Sequence, residues 1–112
     1  MEKYRLTVSE PWDYKNSAGE NFISGAIIRY IDHRCIVFQA DESVSFGRDI
    51  CGSILVLSSR FKTAKDSQLS LPSTVNGGIL LSDYDPDMAD EDLKSKAKFV
   101  LIGYLERVDS GN

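Results

Sequence analysis

Apolar residues in this chain recur at a spacing of two, or run together in short blocks, and only once at a helical spacing. Tyr4, Leu6 and Val8 alternate with Lys3, Arg5, Thr7 and Ser9, the period-two pattern of a half-buried strand. Ile54 to Leu57 is a continuous apolar run, and Phe99 to Leu105 is apolar on both faces. Such strands need cover on both sides. One helix cannot cover a whole sheet, so the sheet must fold over itself. The pattern predicts an α+β fold that is mainly antiparallel β. It is a partial barrel or sandwich of six or more strands, with one helix near the C-terminus closing one side or end. The 112 residues suit a single β-rich domain, residues 1–112,.

Residues 26–40 read as a hairpin. A three-residue loop of Asp32, His33 and Arg34 sets Ile31 against Cys35, Tyr30 against Ile36, Ile28 against Phe38 and Ala26 against Ala40. That register makes one face wholly apolar, and a buried face fixes register. Residues 10–24 read as a long loop carrying Trp12, Tyr14 and Phe22, and 41–52 as a polar loop with Gly47 and Gly52. Asn76-Gly77-Gly78 reads as a hairpin turn between strands at 69–75 and 79–83, because Asn and Gly tolerate positive φ. Pro72 lacks a ladder donor, which marks its strand as an edge. For the helix, Asp85 caps, Pro86 takes the first position, and Ala89, Leu93 and Ala97 face inward with Met88 beside them,. In the last strand, Gly103 allows close backbone approach.

The net charge is −4, which weighs against nucleic acid and anionic membranes and is compatible with a basic protein partner. Residues 1–80 hold nine bases and nine acids, so the whole excess lies in 81–112, and six acids fall within 83–92 with no base among them. Asp90–Lys94 and Asp92–Lys96 spacings and the acids at the helix start are ordinary helix chemistry. Asp83 and Tyr84 before the cap, and the like-charged Asp87–Glu91 spacing, go beyond it. Asp83, Asp85 and Asp87 have the first spacings of a calcium loop, but Met88 and Lys94 stand where it needs Gly and Glu,. The residual reading is an acidic, Tyr-bearing surface that meets a basic protein.

The other chemistry-bearing residues read blandly. His33 reads as a solvated loop residue, although an Asp32–His33 base or a Cys51 nucleophile served by His33 is conceivable,. Cys35 should be buried, and neither cysteine has metal-site spacing,. No metal or other cofactor is expected. Trp12 reads first as a plug for a barrel end and second as a recognition aromatic, with Tyr14 beside it,. Arg60-Phe61-Lys62 carries the rival reading, a nucleic-acid or small-ligand binding module on a barrel,. The first residues lack an apolar leader and no apolar run approaches the roughly 20 residues of a membrane helix, so the expected location is the cytoplasm.

In overall character the chain resembles small immunity proteins of contact-dependent growth inhibition and polymorphic toxin systems. The features are a small β-rich chain, the Glu10-Pro11-Trp12-Asp13-Tyr14 loop, Asn76-Gly77-Gly78, the acidic 83–92 segment and the Phe99–Glu106 strand. The resemblance implies a noncatalytic protein that binds a cognate toxin domain, commonly a basic nuclease, and covers its active site. The residues read as the contact surface are Asp83, Tyr84, Asp87, Asp90 and Glu91, with Trp12 and Tyr14 in reserve.

Overall fold

A computed structural model describes residues 3–32, 35–46, 50–59, 73–80 and 84–108. The strands are β1 (Lys3–Glu10), β2 (Phe22–Asp32), β3 (Cys35–Phe46), β4 (Ile50–Ser59), β5 (Ser73–Leu80) and β6 (Lys98–Val108). The helix α1 (Asp90–Lys96) lies between β5 and β6. Each strand pairs antiparallel with its neighbours in sequence. The last strand returns to the first, from Lys3↔Val108 to Glu10↔Ile102. The sheet is therefore a closed six-stranded barrel, not the partial barrel or sandwich expected. Closure removes both sheet edges, whose unpaired backbone groups an open sheet would leave exposed.

Two clusters explain why so many strands read as apolar on both faces. Inside the barrel, Leu6, Ile36, Phe38, Leu55, Leu57, Val75, Ile79 and Leu105 pack together, fully buried. Outside it, Val37, Ile54, Val56 and Leu80 are covered by Leu93 and Ala97 of the helical segment. The run Ile54–Leu57 thus alternates between the lumen and the underside of the helix. Leu93 and Ala97 face inward as their spacing predicts, whereas Ala89 is exposed.

Four local expectations are corrected. Asn76-Gly77-Gly78 is not a turn but the middle of β5, with Gly77 opposite Leu57 and Leu101. A Cβ on Gly77 would collide with the Leu57 Cδ2 methyl and lie 3.0 Å from Leu101 Cδ1, so the glycine lets two core leucines meet across the wall. β5 has partners on both sides and is no edge; Pro72 lies outside the described residues. In the β2–β3 hairpin, Tyr30↔Ile36 holds, but Ile27 faces Phe38, Gly25 faces Ala40 and Asp32 faces Cys35. Register shifts between Ile27 and Arg29 and between Tyr30 and Asp32 account for the slip. They leave Ile28 38% and Tyr30 66% exposed, so the expected all-apolar face does not form.

The expected loop at 41–52 is largely strand, whereas the one at 10–24 remains a loop over 11–21 and is strand only at its ends. β2 already starts at Phe22, while β3 runs to Phe46 and β4 starts at Ile50, with an irregular pairing between Gln39 and Val44. The helix is shorter than expected. Its N-cap is Ala89, without a side-chain hydrogen bond. Asp85 instead closes a preceding turn, accepting from the Asp87 N–H at its carboxylate and from the Met88 N–H at its carbonyl, both at 2.9 Å. The turn lets Tyr84 and Met88 pack against the outer cluster, which a helix beginning at Pro86 would not require.

Candidate partner-binding surface

Tyr84 to Ala97 form a strap that covers the outer sides of β3, β4 and the end of β5. Its apolar side is anchored by Tyr84, Met88, Leu93 and Ala97. Its other side exposes Asp85, Asp87, Glu91 and Asp92, followed by Lys94 and Lys96 in the last turn of the helix. No basic residue lies between Tyr84 and Leu93, so every charged group exposed over that stretch is acidic. Asp90 has a different task. Its carboxylate pairs with the Arg29 guanidinium of β2 at 2.5 Å, which ties the helix start to the barrel. Arg29 is three-quarters buried, and its Nη1 has no hydrogen-bond partner among the described residues. Of the expected contact residues, Asp87 and Glu91 are exposed together, Tyr84 is half-buried as an anchor, and Asp83 lies outside the described residues.

Trp12 and Tyr14 belong to the β1–β2 loop and part company there. Trp12 is 84% exposed and plugs nothing, while Tyr14, at 7%, takes the plugging position in the barrel core. The reason is the loop's own bonding. The Tyr14 N–H donates to the Pro11 carbonyl at 3.1 Å. Asn16 then pins the remainder: its Oδ1 accepts from the Ala18 and Glu20 N–H groups, and its Nδ2 donates to the Phe22 carbonyl, all at 2.9 Å.

Beside Tyr14 the loop and β3 enclose an open-mouthed cavity of about 220 Å³, lined among others by Phe22, Ile23, Asp41, Glu42 and Val44. Glu42 accepts from the Ser17 hydroxyl at 2.9 Å and from its N–H at 3.4 Å. Asp41 pairs with Lys3 at 2.8 Å, and the Arg5 guanidinium stands 5.5 Å over the Phe22 ring. Burial pushes the Tyr14 phenol above its ordinary value of 10.0, and the negative charge of Glu42 pushes it further. Asp41 and Glu42 are not legible as a site in the sequence, because two acids in an apparent loop carry no signal until Ser17 and Tyr14 are brought beside them.

The remaining candidates stay apart from these features. Cys35 is buried, as expected, and Cys51 is exposed; no disulfide joins them. Cys51 Sγ lies 3.1 Å from the Ser43 hydroxyl. His33, Arg60, Phe61 and Lys62 lie outside the described residues. Among the described residues, no His, Cys, Asp and Glu groups converge in a way that could hold a metal ion, and no helix is long and apolar enough to cross a membrane. Comparison with protein families, curated proteins and solved structures finds no match for this chain.

Proposed function

We propose that this chain is an immunity protein: a noncatalytic barrel that binds a cognate basic toxin domain and covers its active site. The observation that carries the reading is the strap. Four carboxylates, Asp85, Asp87, Glu91 and Asp92, are exposed on one short segment that is itself packed onto the barrel. A charged surface held on a rigid support recognises a partner with little ordering cost. Complementary charge also speeds encounter and selects the partner. Trp12 supplies an exposed aromatic of the kind that dominates binding energy at interfaces,. Asp90 supports the surface by holding the strap to Arg29. Tyr14 lies almost wholly in the core and adds no area to the acidic face; what it presents is its side of the adjoining cavity. The filled lumen favours recognition by the outer surface over a ligand held inside the barrel,.

The reading expects a large secreted protein to be encoded directly upstream, and the test is coexpression with that protein's C-terminal domain. The expected result is restored growth and a stable complex. Replacing Asp85 and Asp87 with Asn and Glu91 with Gln should weaken that complex about 10- to 100-fold and flatten its salt dependence. Failure to form a complex, or unchanged affinity and salt dependence in the triple variant, overturns the reading.

A further inference from the structure

The cavity beside Tyr14 has a size and a lining that select a ligand class. At about 220 Å³ it falls below the roughly 300–1,000 Å³ of pockets for drug-sized molecules, which leaves room for one side chain or a fragment. Ile23 and Val44 offer apolar surface, Tyr14 and Phe22 are aromatic, and Asp41 and Glu42 are acidic. Aromatic faces beside carboxylates attract cations. Two of these groups already hold the chain's own cations: Asp41 pairs with Lys3, and Phe22 lies under Arg5. Glu42 differs, since among the described residues its hydrogen bonds come from the neutral Ser17. A carboxylate has about four lone-pair sites, so Glu42 keeps capacity for a charged donor.

We propose that this cavity receives a single cationic side chain, arginine or lysine, from the protein partner, with Glu42 as its counter-charge and Tyr14 and Phe22 as aromatic walls. The proposal deepens the immunity reading and rests on it for the identity of the partner. The ammonium or guanidinium meets Glu42 at the mouth, and the methylene stem lies against Ile23 and Val44. Such a pocket gives a specific anchor, where the strap gives a diffuse field.

The experiment titrates the full chain with Nα-acetyl-arginine methylamide and follows backbone amide shifts by NMR. The citrulline analogue, neutral and of the same shape, is the control. The expected result is saturable shifts at Ser17, Glu42 and Val44 with a Kd of about 1–10 mM, and binding about 10-fold weaker for citrulline. Glu42→Gln should weaken the arginine probe about 10-fold while keeping the Ser17 hydrogen bonds, since the amide oxygen still accepts. Ala18→Leu, which narrows the exposed mouth without entering the core, should abolish the shifts and carries the test if Glu42→Gln fails to fold. Absence of shifts at these amides, or an equal response to citrulline, overturns the proposal. Probe binding without any toxin complex would keep the pocket and overturn the immunity reading. A toxin complex without probe binding would do the reverse.

Discussion

A methyl group at position 103 would meet the Thr7 carbonyl oxygen at 2.7 Å and Leu6 Cδ1 at 2.8 Å. The oxygen belongs to the backbone of the neighbouring strand, so β1 and β6 would have to move apart where they close the barrel. Gly103→Ala should therefore destabilise the protein by about 1–3 kcal/mol, read as a lower urea midpoint with an unchanged slope. A midpoint equal to that of the unaltered chain would show that the seam has slack. This glycine was legible in the sequence, because a lone Gly in a two-faced apolar strand marks close approach. The roles of Trp12 and Tyr14 were not. Both are aromatics in one loop, and which enters the barrel depends on the Pro11–Tyr14 turn and on Asn16. Tyr14 also gives a pH signature. Its folded pKa is raised above the unfolded value of 10.0, first by burial and then by Glu42. The buried neutral phenol thus contributes stability that is full below 10.0 and is lost as pH rises through the folded pKa,. Thermal melts of Tyr14→Phe should show less of that alkaline loss than the unaltered chain. Glu42→Gln should bring the Tyr14 ionisation, followed by ultraviolet absorbance, closer to the ordinary value. An alkaline limb identical in all three proteins would remove Tyr14 from the account.

The strap is the element on which both stability and the proposed interface depend. Leu93 is fully buried between the helix and β3–β4, and Leu93→Ala should cost about 2–4 kcal/mol through lost burial and the cavity left behind. Asp90→Ala should cost less, about 1 kcal/mol, because the Arg29 pair is half-exposed on the aspartate side and screened there,. Urea titration of both variants checks the order. A Leu93→Ala change near zero would mean that the strap rests on the barrel without holding to it, and would leave the acidic surface without a rigid support. The inward face of this element was readable from the four-residue spacing of Leu93 and Ala97. Its start was not, because Asp85-Pro86 has the local chemistry of a helix start while Tyr84 and Met88 pack on the barrel and displace it. The same conflict governs β5. Asn76-Gly77 favours a turn locally, but Gly77 is where Leu57 and Leu101 meet, and tertiary packing overrides the propensity,. The acidic charge of the strap was visible in sequence; its division into exposed Asp87 and Glu91 and a tethering Asp90 needed Arg29 in place.

At the scale of the whole molecule, the decisive contact joins the two ends of the described chain. Arg5 pairs with Glu106 at 2.7 Å across 101 residues of sequence, on the outward side of the seam that turns six strands into a barrel. No local pattern announces this seam. Two-faced apolar strands fit a sandwich as well as a barrel, and only the pairing of the last strand with the first separates them. Closure has a measurable consequence. In an open meander, β1 and β6 would be edge strands, each with a row of unpaired amides that exchange readily with solvent. In the closed barrel their facing amides are bonded to each other, as those of β3 and β4 are. Hydrogen exchange under native conditions should therefore protect the β1–β6 ladder to nearly the same degree as the β3–β4 ladder. Fast exchange confined to β1 and β6 would identify an open sheet. It would also remove the support for the Trp12 loop, which leaves β1 at that seam, and for the cavity that the loop encloses against β3.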